Sequence, residues 1–240
     1  MTLNWNDFEL LIDESWHRDL RPWIESEECY NIYQKLKVLP KGEVIPKSNL
    51  LWKPFLNCKK DNLKVVFMGL SPYHTRNTNK DFADGLAFST NLEKTPPSLE
   101  LLQKAIEEDQ GYTGKRVNDL SYLANQGVLL LNAALTTSYQ KAGNHLDLWL
   151  PFHKYMYEKV YSLMNGLIFV YFGKEAQKLA KFETPFIHYS VAVEHPAAAA
   201  RQNRDFQHNN LFSYVNNILK QNNGSEFQIS WIKINEQLPF

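Results

Sequence analysis

Residues 64–74 read KVVFMGLSPYH: an unbroken apolar run closing on Gly69, then a polar and aromatic turn ending at His74. A continuous apolar run this short suits a strand covered on both faces, as in a parallel sheet. Three similar runs follow: Val128–Leu131 (VLLL), Leu167–Tyr171 (LIFVY) and Phe186–Val193 (FIHYSVAV). Helical patterns lie between them. Ser98, after Pro96-Pro97, reads as the N-cap of a helix with Leu99, Leu102 and Ile106 on one face. Leu120, Leu123 and Ala124 form a second face that stops at Gly127. Pro151 suits the first turn of a third helix, with Phe152, Met156, Val160 and Leu163 as its stripe and Gly166 as its stop. Leu211, Phe212, Val215 and Leu219 mark a fourth. Strand–helix alternation predicts an α/β fold: a three-layer sandwich around a short, four-stranded parallel central sheet.

In such sheets ligands bind just beyond the carboxyl ends of the strands. The residues there are Leu70-Ser71-Pro72-Tyr73-His74, Asn132, Phe172-Gly173-Lys174 and Glu194-His195-Pro196. Aromatic, amide and imidazole groups are thus expected to converge on one rim.

The rest of the chain sets bounds on that reading. Its 240 residues and 44% hydrophobic content can bury a sizeable core, and one domain over residues 1–240 is the simplest expectation. Lys+Arg and Asp+Glu both number 26, so net charge names no polyanionic partner. Residues 1–30 carry eight acids against two bases, a net −6, and read as an acidic helical segment packed on the body. Cys29 and Cys58 form no CxxC, so no metal site is expected. The opening MTLNWNDFEL has no basic region leading into an apolar stretch, and no run approaches membrane-spanning length. A cytoplasmic location without membrane association is expected.

Two chemistries fail on their own terms. Ser71, Asp147 and His195 follow the chain order of a serine hydrolase, but the residue after the nucleophile must donate its backbone N–H, and Pro72 has none. Zinc deaminases of nucleobases need H-x-E and P-C-x-x-C, and neither motif occurs.

The rim residues resemble family 1 uracil-DNA glycosylases. Gly69-Leu70-Ser71-Pro72-Tyr73-His74 is similar to their G-Q-D-P-Y-H, and Gly85-Leu86-Ala87-Phe88-Ser89 to their G-L-C/A-F-S. Pro96-Pro97-Ser98-Leu99 resembles the family's Pro-rich loop leading into a helix. Residues 125–136, NQGVLLLNAALT, resemble K-Q-G-V-L-L-L-N-x-x-L-T. Gly173 with Ala176-Gln177-Lys178 resembles G-x-x-A-Q-K, and His195-Pro196 stands where H-P-S-P-L-S begins. Each motif is weak alone; in this order along the chain they form a strong set.

The resemblance implies a cofactor-free monomer that flips a deoxyuridine, or a related modified pyrimidine, out of single-stranded or duplex DNA and hydrolyses its glycosidic bond. It assigns Phe88 to stack on the base, Asn132 to hydrogen-bond its polar edge, Tyr73 to crowd C5 against thymine, and Leu70 to the pocket wall. His195 is implied to stabilise the negative charge on the departing base. Pro96, Pro97, Ser98, Gly173, Lys174, Ala199, Arg201 and Arg204 are implied DNA contacts.

Three departures bear on catalysis. The family's motif Asp is Ser71 here, a neutral hydroxyl that offers no field to a cationic sugar. Ala199 takes the position of the family's bulky Leu wedge, so flipping from intact duplex is expected to suffer. The segment TRNTNKDFAD, Thr75–Asp84, is longer than the family's connection, and Asp84 or Asp81 is a candidate replacement carboxylate. The alternative function is a catalytically impaired homologue that binds DNA or protein.

Overall fold

A computed structural model describes residues 1–183 and 188–233. In chain order, helices α1 (His17–Ile24) and α2 (Glu27–Lys37) lead to strand β1 (Val44–Ile45), helix α3 (Lys53–Asn57) and strand β2 (Val65–Gly69). A small hairpin of β3 (Arg76–Asn77) and β4 (Lys80–Asp81) precedes helices α4 (Pro97–Gln110) and α5 (Ser121–Ala124). Strands β5 (Val128–Asn132) and β6 (Thr137–Ser138), helix α6 (Leu146–Tyr155) and strand β7 (Ile168–Phe172) come next. The chain continues through α7 (Lys174–Gln177), β8 (Tyr189–Val193), α8 (Pro196–Arg201) and α9 (Leu211–Asn223).

The central sheet has the order β5-β2-β7-β8, and every neighbouring pair is parallel. Alternation along the strands divides the core in two. Val66, Met68, Leu129, Leu131, Phe169 and Tyr171 face one cluster, which also takes Trp16, Leu20 and Trp23 from the N-terminal segment and Trp149 and Phe152 from α6. Val65, Phe67, Leu130, Val170 and Phe172 face the other, with Leu99 and Leu102 of α4 and Phe212 and Val215 of α9. Helices on both faces of a parallel sheet explain why three of the strands are buried at every position. The α/β sandwich with a four-stranded parallel sheet is therefore as expected.

Several local expectations need correction. Strand β8 is described over Tyr189–Val193, where it is a largely exposed edge and not the buried strand expected; Phe186 and Ile187, also assigned to that run, lie outside the described residues. The α4 N-cap is Pro96 with Pro97 in the first turn, so Ser98 is already helical and turns inward. Pro151 lies inside α6, which begins at Leu146. Beyond α6 the chain widens into a π turn over Met156–Val160. That extra residue per turn rotates the stripe, and Leu163 emerges 79% exposed.

Candidate active site

The carboxyl ends of β2, β5, β7 and β8 surround a cavity of about 230 Å³. Leu70, Ser71, Tyr73, Phe88, Asn132, Gly173, Lys174, His195 and Arg201 all line it, as does Ser98 from α4. Sequence positions more than a hundred residues apart thus meet because parallel strands end on the same side.

Asn132 is the last residue of β5, in register with Gly69 at the end of β2. A Cβ on residue 69 would lie 2.5 Å from the Asn132 Oδ1, so only glycine leaves the amide in place. Among the described residues that side-chain amide has no intrachain hydrogen bond, although Asn132 is buried. Its donors and acceptor are left for whatever fills the cavity. Behind it, His153 of α6 places Nε2 2.9 Å from the carbonyl of Ala133, fixing the backbone next to Asn132. Burial pushes the His153 imidazole down to about 4. His153 escaped the sequence reading because it sits within an apolar stripe beside Phe152.

Phe88 adopts φ +65, a left-handed conformation that is rare for a bulky residue. Its ring packs edge-on against Phe172 at 4.8 Å and tilted to His195 at 5.4 Å. The Tyr73 hydroxyl donates to the Phe88 carbonyl at 3.0 Å and accepts from the Ser98 hydroxyl at 3.2 Å. Tyr73 is therefore held as a rigid wall.

Asp84 is what fastens this turn. It is 3% exposed, accepts from the Leu86 N–H and the Ser89 hydroxyl, and pairs with Lys53 Nζ at 3.0 Å. It does not line the cavity. Asp81 pairs with Arg76 across the hairpin at 2.6 Å. The expectation that Asp84 or Asp81 replaces the missing carboxylate is thus overturned: both are engaged in holding loops. The pairing of Asp84 with Lys53 joins residues far apart in sequence, and no local motif signals it.

Ser71 Oγ accepts from the Gly143 N–H at 3.1 Å, which ties the motif to the loop before α6. His195 caps α8, its Nδ1 accepting from the Ala197 N–H at 3.1 Å. With Nδ1 an acceptor, the neutral ring carries its proton on Nε2, free to donate. Burial, with a smaller push from the Arg201 charge, lowers His195 to about 4, so the ring is neutral at physiological pH. Gly173, at φ +87, passes so close that a Cβ there would meet the His195 Cβ at 3.0 Å.

The implied DNA contacts divide. Pro97, Lys174 and Arg201 are exposed at the cavity's edge or beside it, whereas Pro96 and Ser98 are buried. Ala199 is fully buried in the second core cluster, so it presents nothing to a base stack. The reason is local: HPAAAAR forms a helix, with His195 as cap, Pro196 in the first turn and alanine's high propensity after it. Arg204 is clamped by both oxygens of Glu194 at 2.5 and 2.6 Å and is not free for a phosphate. Among the described residues no three His, Cys, Asp or Glu side chains gather as a metal site.

The Uracil DNA glycosylase superfamily model matches residues 56–220. A uracil-DNA glycosylase of Campylobacter fetus is 33% identical over 223 residues, covering 92% of this chain and 93% of its own. Uracil-DNA glycosylase 2 of Bacteroides fragilis is 32% identical, covering 92% and 98%. Among solved structures, mimivirus uracil-DNA glycosylase superposes with a TM-score of 0.80 at 23% identity, covering 92% of this chain and 87% of that one. That likeness speaks for the fold; the sequence matches, spanning nearly all of both chains, speak for descent. The chain belongs to the uracil-DNA glycosylase superfamily.

Proposed function

We propose that this protein excises uracil from DNA, acting as a monomer and more readily on single strands than on intact duplex. The observation that carries it is the convergence of an unpartnered amide, Asn132, with the Phe88 ring, the fixed Tyr73 wall and the neutral His195 on one cavity.

A flipped uracil in this cavity stacks on Phe88 and offers its amide edge to Asn132, which can match a donor with a donor-accepting carbonyl and an acceptor with an N–H. A methyl at C5 meets Tyr73, whose two hydrogen bonds prevent it from yielding. As the bond between the sugar C1′ and the base nitrogen breaks, its electron pair leaves with the base. Nε2–H of His195 donates to the base oxygen on which that charge collects. A water oxygen then bonds to C1′, and its proton is released to the base or to solvent. Ser71 can hold that water but brings no negative charge to the cationic sugar, so turnover is slower than a carboxylate would allow.

Calorimetry with free uracil and thymine tests the binding half of the proposal. Uracil is expected to bind and thymine not to. Asn132→Asp is expected to abolish uracil binding, because an ionised carboxylate cannot donate. Equal binding of the two bases, or an Asn132→Asp variant that binds uracil normally, contradicts the assignment.

A further inference from the structure

On α8, Ala197 and Arg201 are four residues apart and share the face that lines the cavity, while Ala199, two residues from each, turns into the core. Three charged residues line the cavity: Lys174, Glu175 and Arg201. Glu175 is engaged by Lys178 Nζ at 2.7 and 2.8 Å. Arg201 pairs with no carboxylate among the described residues, in contrast to neighbouring Arg204, which Glu194 neutralises. In the same lining, where the resemblance implies a carboxylate, stands the Ser71 hydroxyl. The site has therefore lost a negative group and keeps two cations without a carboxylate partner among the described residues, Lys174 and Arg201, of which Arg201 stands on the helix that His195 caps. That charge is felt inside: after burial, it is what holds both His74 and His195 below the ordinary histidine range.

We propose that Arg201 stabilises the negative charge that collects on the departing base, so that this site relies on anion stabilisation in place of the missing carboxylate. The proposal rests on the uracil-excision reading. When the C1′–N bond breaks, the pair it releases is shared by the base nitrogen and oxygens. Neutral His195 meets that charge with a hydrogen bond but no net charge; the guanidinium supplies the charge from the same wall. By disfavouring protonation of His195, the same charge preserves the Nδ1 acceptor that caps α8.

The test compares the wild type with Arg201→Lys and Arg201→Met, each first checked for native thermal unfolding. Release of base is measured from single-stranded oligonucleotides carrying deoxyuridine or 5-fluorodeoxyuridine. Fluorine makes the base a better leaving group, which needs less help. Arg201→Met is expected to slow uracil release about tenfold or more, 5-fluorouracil release by clearly less, and Arg201→Lys to restore most of the rate. A phosphate contact would slow both substrates equally, and that outcome, or no loss at all, overturns the proposal.

A second readout needs no turnover. Free 5-fluorouracil is bound by calorimetry from neutral pH to beyond its own ionisation. Over that range His74 and His195 stay neutral and burial keeps the Tyr73 phenol protonated. Lys174 and Glu175 are present in all three proteins and so contribute equally. The wild type is expected to keep or gain affinity as the base becomes an anion, and Arg201→Met to lose it. Identical pH dependence in the two proteins overturns the role of Arg201. A wild type that binds the anion better but releases no uracil refutes the excision reading and, with it, the catalytic role of Arg201, leaving only an anion-binding cavity. A wild type that binds neither form refutes both.

Discussion

In the proposed reaction, Ser71 is the residue on which the rate turns. Its hydroxyl lines the cavity and is anchored by the Gly143 N–H, a donor that serves a carboxylate equally well. Ser71→Asp is therefore expected to raise uracil release from single strands by roughly 10²-fold, the scale of one well-placed electrostatic group. An unchanged or lower rate shows that the site no longer uses a carboxylate. Gly69 offers a second probe. A methyl there must displace the Asn132 amide, so Gly69→Ala is expected to weaken uracil binding by about 1–3 kcal/mol, read by calorimetry, while the fold persists. His195 fixes the pH response. Its neutral form carries the cap and the Nε2 proton, so activity is expected to hold on acidification until the pH nears the value of about 4 to which burial lowers it. A rate that already halves near an ordinary histidine pKa, about 6.5, contradicts the assigned tautomer and burial.

At the level of elements, α8 and the turn before Ser89 behave differently from what their motifs imply. The family pattern suggests a probing loop after His195, yet the composition PAAAAR is a strong helix former and the structure follows the composition. Ala199→Leu is accordingly expected to overpack the core and cost about 1–3 kcal/mol of stability, without improving duplex activity. Better duplex cleavage at native stability contradicts the buried placement. The insertion is likewise structural. Asp84→Asn leaves Lys53 without its partner and is expected to cost about 1–3 kcal/mol in denaturant unfolding, with looser binding because the same turn presents Phe88. Asp81→Asn alters only the hairpin ion pair with Arg76 and is expected to leave single-strand activity unchanged.

For the molecule as a whole, the sheet was legible and its supports were not. Val65–Gly69, Val128–Asn132 and Ile168–Phe172 announce themselves because burial on both faces demands an unbroken apolar run, which β5 ends only at Asn132, its last residue. Edge strand β8, largely exposed, has no such signature. Tyr73, Phe88, Asn132 and His195 were readable from their motifs, and the parallel topology brings them together. Asp84–Lys53 and the contact of His153 with the Ala133 carbonyl were not, because long-range polar pairs leave no periodic trace. His153 gives the fold an acid limit. The unfolded imidazole takes up a proton near 6.5 while the buried one waits until about 4. Stability is thus full above the upper value and falls as pH drops through that window, which unfolding temperatures across the range will show. The central claim, that this cavity excises uracil, is tested most directly by incubating the protein in excess with single-stranded oligonucleotides carrying one deoxyuridine or one extra thymidine and measuring the free base released. The account predicts uracil release from the first, none of thymine from the second, and loss of release in Asn132→Asp. No uracil released by excess wild-type protein, or release that survives Asn132→Asp, contradicts it.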